Sequence, residues 1–243
     1  MGINKNYYKI ILVFLLLLVI FWCICDEMKN INITENFTEN RIVKHKYDDY
    51  EILEIYDILT PAECKELIRL ANKKGLHQSE ILNNTDGKDT EVRTEFRKSK
   101  QAWLPNSYDK IVMKIANFSE KITGIPKENQ EELQVAKYEE NGKFIEHYDS
   151  CIYEDKAYCD KVNHYSGERR TTLLIYLNDD FKEGQTEFVE VGLKIKPEVG
   201  KGILFWSTDH NDNLFVKSKH KGNSVIGGEK WIATKWSHPK KFN

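Results

Sequence analysis

The chain has 243 residues, with 36 Lys and Arg against 38 Asp and Glu and a formal net charge of −2. Hydrophobic residues make up 40% and charged residues 30%, the balance of a folded domain and not of a disordered chain. Only 13 Gly and 5 Pro exclude a collagen-like repeat, and the even charge leaves no electrostatic footprint for nucleic acid.

The first element is an apolar run from Ile10 to Cys25, with Lys5 and Lys9 before it and Asp26 and Glu27 after it. It has no polar face and approaches the length of a bilayer span, so it reads as an uncleaved signal-anchor in preference to a cleaved signal peptide. The upstream lysines then assign residues 1–26 to a cytoplasmic N-terminus and anchor, 27–46 to a polar lumenal stalk and 47–243 to one lumenal domain. The expected location is a single-pass protein of the endoplasmic reticulum or secretory-pathway membrane. Sequons at Asn32, Asn36, Asn83 and Asn117 agree with glycosylation in that compartment. Cys64, Cys151 and Cys159 lie beyond the anchor, and an oxidising lumen permits one bridge among them.

Asp48 to Leu59 reads as a strand. Thr60-Pro61-Ala62-Glu63 then combines a capping box with Pro at the first helical position, and Gly75 is a fitting stop. Cys64, Leu67, Ile68 and Ala71 line one face of that helix. A second helix is expected over about Tyr108 to Thr123, with Ile111, Val112, Ile115, Phe118 and Ile122 as its stripe and Gly124 and Pro126 ending it. From Leu133 the texture changes to short aromatic and β-branched segments divided by turns such as Asn141-Gly142 and Gly227-Gly228. The fold class is α+β, mainly β: a sandwich, jelly roll or barrel supported by N-terminal helices.

The chemistry begins at His147-Tyr148-Asp149. On a strand, residues two apart share a face, so His147 and Asp149 can reach one metal while Tyr148 points away. His220 is a candidate third ligand. Two histidines and one carboxylate form the facial triad of non-haem Fe(II) oxygenases, which leaves positions open for a chelating cosubstrate and O₂. Lys230 follows beyond the Gly227-Gly228 turn, heading the strand Lys230 to Trp236. A hairpin there folds its ammonium back towards the metal, where it can meet a distal carboxylate.

Residues from about Leu133 to His238 resemble the prolyl 4-hydroxylase family of Fe(II)/2-oxoglutarate dioxygenases. The resemblance is carried by Leu133 to Tyr138, Gly142 to Asp149, Arg169 to Asn178, Gly184 to Phe188, Ile195-Lys196-Pro197 with Gly200 to Trp206, and His220 to Trp236. It implies a double-stranded β-helix (jelly-roll) core over about 131–238 and a requirement for Fe(II), 2-oxoglutarate, O₂ and ascorbate. It implies 4-hydroxylation of peptidyl proline, with succinate and CO₂ released. It assigns iron to His147, Asp149 and His220, and 2-oxoglutarate to Lys230 with hydrogen bonds from Tyr138 and Thr172. It places Arg169 and Trp236 along the peptide groove. Phe144 stands where many members have Tyr, and Ser224 replaces the usual Pro before Val225.

The polar segment from Cys151 to Glu168 is expected as a lid over the groove, its base closed by a Cys151–Cys159 disulfide. His164, His210 and His238 read as structural or solvated. The expected partner is a proline-rich or collagen-like polypeptide in an extended, polyproline-II-like form, with no nucleic acid. Two other readings are a peptidyl lysyl hydroxylase, which usually carries Arg where Lys230 stands, and a non-catalytic jelly-roll peptide-binding module, which would have lost a ligand.

Overall fold

The Thr60-Pro61-Ala62-Glu63 signature folds as its chemistry dictates. Thr60 Oγ1 accepts from the Glu63 N–H at 3.2 Å and the Glu63 carboxylate accepts from the Thr60 N–H at 2.8 Å. This reciprocal cap starts helix α1, Pro61–Lys74, which Gly75 ends at a positive φ of 97°. Helix α2, Lys110–Thr123, begins after Asp109 and not at Tyr108, because the Asp109 carboxylate caps it by accepting from the Ile111 N–H at 2.8 Å. Both belong to a computed structural model that describes residues 40–82, 90–151 and 165–242.

Fourteen strands are described. They are β1 Ile42–Tyr47, β2 Tyr50–Ile55, β3 His77–Gln78, β4 Ile81–Leu82, β5 Thr90–Glu91, β6 Lys100–Leu104 and β7 Leu133–Tyr138. After these come β8 Phe144–His147, β9 Thr171–Tyr176, β10 Thr186–Phe188, β11 Leu193–Ile195, β12 Gly202–Trp206, β13 His220–Gly222 and β14 Lys230–Ser237. The major sheet has the order β1-β2-β12-β9-β14-β7-β6-β3 and the minor sheet β11-β10-β13-β8, while β4 and β5 pair by themselves. Every pairing is antiparallel. The mainly β, jelly-roll-like architecture expected from the sequence is therefore present.

The alternation of the strands decides which side chains meet. Ile52, Tyr138, Tyr176, Phe188, Phe205 and Ile232 belong to one buried cluster that draws on both sheets. The helices pack on the major sheet, α1 on β6 and β7 and α2 on β14. Leu67 and Ile115, one from each helix, are wholly buried, and truncating either to Ala would cost about 2–5 kcal/mol. The turn between β7 and β8 uses Asn141 at φ 59° and Gly142, where an added Cβ would lie 2.6 Å from the Glu139 carbonyl oxygen. That turn carries the chain from the major sheet to the minor one.

Three expectations are corrected. The single strand Asp48 to Leu59 is in fact the second arm of a hairpin, with Asp48 at φ 53° turning β1 into β2. Strand β1 also lies mostly within the 27–46 segment read as stalk, because Ile42 to Tyr47 pairs along the edge of the major sheet. The single-pass placement in a secretory-pathway membrane is overturned: among the described residues no helix is long and apolar enough to cross a membrane. At 14 residues each, α1 and α2 span about 21 Å against a hydrocarbon core of about 30 Å. The run Ile10 to Cys25 itself lies outside the described residues, as do Asn32, Asn36, Asn83, Cys159 and His164.

Asn117 is described. It is half-buried on α2, its Oδ1 accepts from Lys127 Nζ at 2.8 Å, and Ser119 of the same sequon is buried. Cys151 is disulfide-bonded, and Cys64 is a buried free thiol on the sheet-facing side of α1.

Candidate active site

Strand β8 ends at His147 and β13 opens at His220, and the two residues are direct partners across the antiparallel pair. Their Cβ atoms are thereby held about 5 Å apart on one face. Asp149 lies just past the end of β8, with Oδ1 3.7 Å from His147 Nε2 and Oδ2 3.9 Å from His220 Nε2. The three ligand atoms all lie within 4.8 Å of one another.

Both imidazoles are oriented by the backbone. His147 Nδ1–H donates to the Ile145 carbonyl at 2.7 Å and His220 Nδ1–H to the Ser218 carbonyl at 2.9 Å. Each ring therefore turns a lone pair on Nε2 towards Asp149. Phe144 stacks on His147 with centroids 3.6 Å apart, and Phe205 meets His220 edge-on at 4.8 Å. Burial pushes the His147 imidazole far below its ordinary range, helped by His220 beside it. Asp149 is held below the usual carboxylate range: burial opposes this, and the two imidazoles, Arg169 and a Thr172 hydroxyl outweigh it. Two neutral nitrogens and one carboxylate are the donor set that a divalent iron ion requires, so the residues fit Fe(II).

The cavity holding the triad is also lined by Lys230, Tyr138, Thr186, Ile232, Arg97 and Trp236. Lys230 is 3% exposed and pairs with Tyr138 across β14 and β7. Its Nζ donates to the Gly184 carbonyl at 2.6 Å and lies 5.4 Å from the Tyr176 ring centroid and 5.8 Å from that of Tyr138. Among the described residues no carboxylate pairs with it, and burial alone lowers its pKa to about 7. A buried amine facing a cavity without a protein anion is suited to an anionic ligand.

Three residues take partners that the sequence does not announce. Thr172 reaches the cavity, and its Oγ1 donates to Asp149 Oδ2 at 2.6 Å, so it steadies an iron ligand. Arg169 is clamped: its Nε and Nη2 donate to the two Glu131 oxygens at 2.5 and 3.0 Å. Its guanidinium lies 3.8 Å from the Trp236 ring centroid, and Nη1 reaches the Asp149 carbonyl at 3.4 Å. Tyr176 faces inward as strand parity allows, and its hydroxyl donates to Thr186 Oγ1 at 2.7 Å.

Two groups were missed from sequence. Glu131 is 5% exposed and takes a second partner in His238 Nε2 at 2.9 Å. Burial raises its pKa, yet Arg169 and His238 hold it down at about 2. Arg97 and Gln134 form the other group, with Arg97 Nη2 donating to Gln134 Oε1 at 2.8 Å and the guanidinium 4.9 Å from the Phe144 ring centroid. Gln134 had a legible signal, since it shares a strand face with Ala136 and Tyr138. Arg97 sits outside any regular strand, opposite Phe144, and had none.

Comparison with known proteins bears on the same residues. The 2OG-Fe(II) oxygenase superfamily matches residues 133–238. A putative prolyl 4-hydroxylase of Acanthamoeba polyphaga mimivirus is 34% identical over 188 residues, covering 77% of this chain and 74% of that one. A probable prolyl 4-hydroxylase 10 of Arabidopsis thaliana is 34% identical over 201 residues, covering 74% and 66%. Among solved structures, the viral collagen prolyl hydroxylase of Paramecium Bursaria Chlorella virus-1, as its 2OG complex, aligns with a TM-score of 0.62 at 28% identity. It covers 77% of this chain and 95% of that one.

Proposed function

The chain belongs to the prolyl 4-hydroxylase family of 2OG-Fe(II) oxygenases, and we propose from this premise that it hydroxylates proline within extended, proline-rich or collagen-like polypeptides. It is a 2-oxoglutarate-dependent dioxygenase acting on proline, with Fe(II) and 2-oxoglutarate as cofactor and cosubstrate and with the ascorbate requirement typical of the family.

When bound, Fe(II) and 2-oxoglutarate would supply, with O₂ as oxidant, the chemistry that converts a proline C–H to C–OH, one oxygen atom entering the hydroxyl and the other the succinate as CO₂ is released. The residues present hold and orient those parts. His147, Asp149 and His220 would hold the iron on one side and leave its other side to the cavity. Thr172 fixes the Asp149 carboxylate, and the two backbone carbonyls fix the imidazole tautomers. Lys230 would take the distal carboxylate of 2-oxoglutarate, with Tyr138 beside it. Trp236 and Phe144 offer aromatic faces suited to a pyrrolidine ring, and Arg169, clamped by Glu131, holds the Trp236 indole.

The observation that carries this reading is a complete iron triad and an anion-free buried lysine lining one cavity. A non-catalytic module has no need of either. An extended peptide suits the site because the reacting C–H must approach the iron closely, which a proline packed inside a fold cannot do. A proline-rich chain is already extended and loses little entropy on binding.

The test is 2-oxoglutarate turnover with Fe(II) against a panel of proline-containing peptides, read by mass spectrometry. It includes a flexible Gly-X-Pro peptide and the same sequence folded as a triple helix. Proline hydroxylation of the flexible form alone is expected. Equal turnover of both forms, or hydroxylation only of lysine, overturns the substrate assignment.

A further inference from the structure

Lys235 is the feature of the molecule that the chemistry above leaves unexplained. It sits on β14, on the opposite strand face from Lys230, Ile232, Thr234 and Trp236, and it is 0% exposed. Its Nζ donates to Asn106 Oδ1, in the loop before α2, and to the Glu131 carbonyl at 2.5 Å. No carboxylate contacts it among the described residues. A buried cation hydrogen-bonded only to neutral acceptors, with the Glu131 and Glu132 charges offsetting part of its burial, is costly to desolvate, and a Met of similar shape would fill the space without that cost.

What Lys235 holds is Glu131. The Glu131 N–H donates to the Trp236 carbonyl at 3.1 Å while its C=O accepts from Lys235, so β14 grips that residue's main chain on both sides. From this fixed backbone the Glu131 carboxylate reaches Arg169 and His238, and the Arg169 guanidinium lies over the Trp236 ring. The path runs without a gap from a lysine outside the cavity to an indole inside it.

We propose that Lys235 is a positioning residue for peptide binding: by clamping the Glu131 main chain to Asn106 and β14, it sets the Arg169–Trp236 stack against which the substrate chain lies. This rests on the proposed role of the Arg169–Trp236 wall in the peptide groove. It assigns Lys235 an effect on the polypeptide and none on 2-oxoglutarate, whose lysine hangs from the other face of β14.

The experiment uses the full chain as wild type, Lys235→Met, Arg169→Ala and the double variant. The constants compared are the peptide KM, the 2-oxoglutarate KM and kcat. Trp236 emission is isolated in each protein by difference from its Trp236→Phe counterpart. Lys235→Met should raise the peptide KM by about tenfold while the 2-oxoglutarate KM stays within about twofold. Arg169→Ala should add almost nothing in the Lys235→Met background, because both act on one stack. Trp236 emission should shift alike in the two single variants, and Lys235→Gln, which keeps a donor, should recover part of the peptide KM. A folded Lys235→Met with wild-type peptide KM and wild-type Trp236 emission overturns the proposal. So does a proportional fall of every constant together with Tm, which would mark a purely structural lysine. Should Lys235→Met fail to fold, Asn106→Ala and Lys235→Gln carry the same readouts. Should the wild type leave every proline peptide untouched, the substrate reading fails on its own, and Trp236 emission still decides whether Lys235 sets the stack.

Discussion

Strand β14 buries one lysine on each face, and the two are held in different ways. Lys230 faces the cavity with a single backbone carbonyl as partner and two tyrosine rings nearby. Lys235 faces away from it and is closed in by the Asn106 amide and the Glu131 carbonyl. Burial lowers both to about 7, so burial and pKa alone do not tell them apart. The difference lies in what completes each ammonium: protein on the outer face, and a cavity wanting an anion on the inner face. One strand thus serves as a socket on one side and a brace on the other.

The comparison is tested most severely at the iron ligands, which belong to the inner face's cavity. His147→Ala, Asp149→Ala or His220→Ala should reduce succinate formation below detection, with metal analysis showing lost iron and circular dichroism an intact fold. Each removes one of three protein donors. Asp149→Asn with full iron and full turnover would break the assignment of the inner face.

Lys230→Met comes next in size. Leaving a buried carboxylate without its ammonium costs about 2–5 kcal/mol, so the 2-oxoglutarate KM should rise by roughly 30-fold to several thousandfold. The free protein should lose no stability, since a buried amine without an anion is removed. The pair Lys230→Met and Lys235→Met sharpens the contrast. The first should move the cosubstrate constant and the second the peptide constant, and a crossed result would erase the distinction between the faces.

Thr172→Val is smaller. It keeps the shape but deletes the 2.6 Å hydrogen bond to Asp149 Oδ2, which should weaken Fe(II) binding by about tenfold with the 2-oxoglutarate KM almost unchanged. Anaerobic Fe(II) titration reads the first quantity and initial rates the second. The reverse pattern would return Thr172 to the cosubstrate.

Much of the site was legible in the sequence because it is local or periodic. Strand parity at His147 and Asp149, the hairpin before Lys230 and the capping box at Thr60 each follow from a few neighbouring residues. The Glu131–Arg169–His238 network was not legible. Its members come from three separate stretches, and nothing in their neighbours announces an ion pair until β7, β9 and β14 lie side by side. Thr172 was placed in the right cavity, but its bond to Asp149 was not legible, since parity fixes a face and not a hydrogen bond. The β1–β2 hairpin escaped because its turn, at Asp48-Asp49, carries no Gly or Pro, and because β1, an edge strand, is largely polar and exposed. The lysine at 235 looked like an ordinary strand residue. Its burial depends on α2 and the Asn106 loop, which pack from far upstream.

The smallest predicted effect is the pH dependence of 2-oxoglutarate binding, and its sign follows from the socket on the inner face. In the free protein burial holds Lys230 at about 7, so above that pH the amine is largely neutral. A dicarboxylate needs the ammonium, and its arrival raises the lysine pKa. Binding above pH 7 must therefore take up a proton, whereas well below pH 7 the proton is already in place. The dissociation constant should rise by about fivefold between pH 7 and 8 and approach tenfold per unit beyond that. The stability of the free protein runs the same linkage through unfolding. Between about 7 and the ordinary lysine value of 10.5 the unfolded chain carries the extra proton, so Lys230 makes stability increase with pH over that window. Saturating 2-oxoglutarate should flatten that slope by Lys230's share. Anaerobic calorimetry in two buffers of different ionisation heat would count the protons directly. Lys230→Met separates this lysine from Lys235: the variant should bind weakly at every pH with no proton uptake, and a wild-type affinity constant from pH 6.5 to 8.5 would show that Lys230 keeps its charge without a ligand.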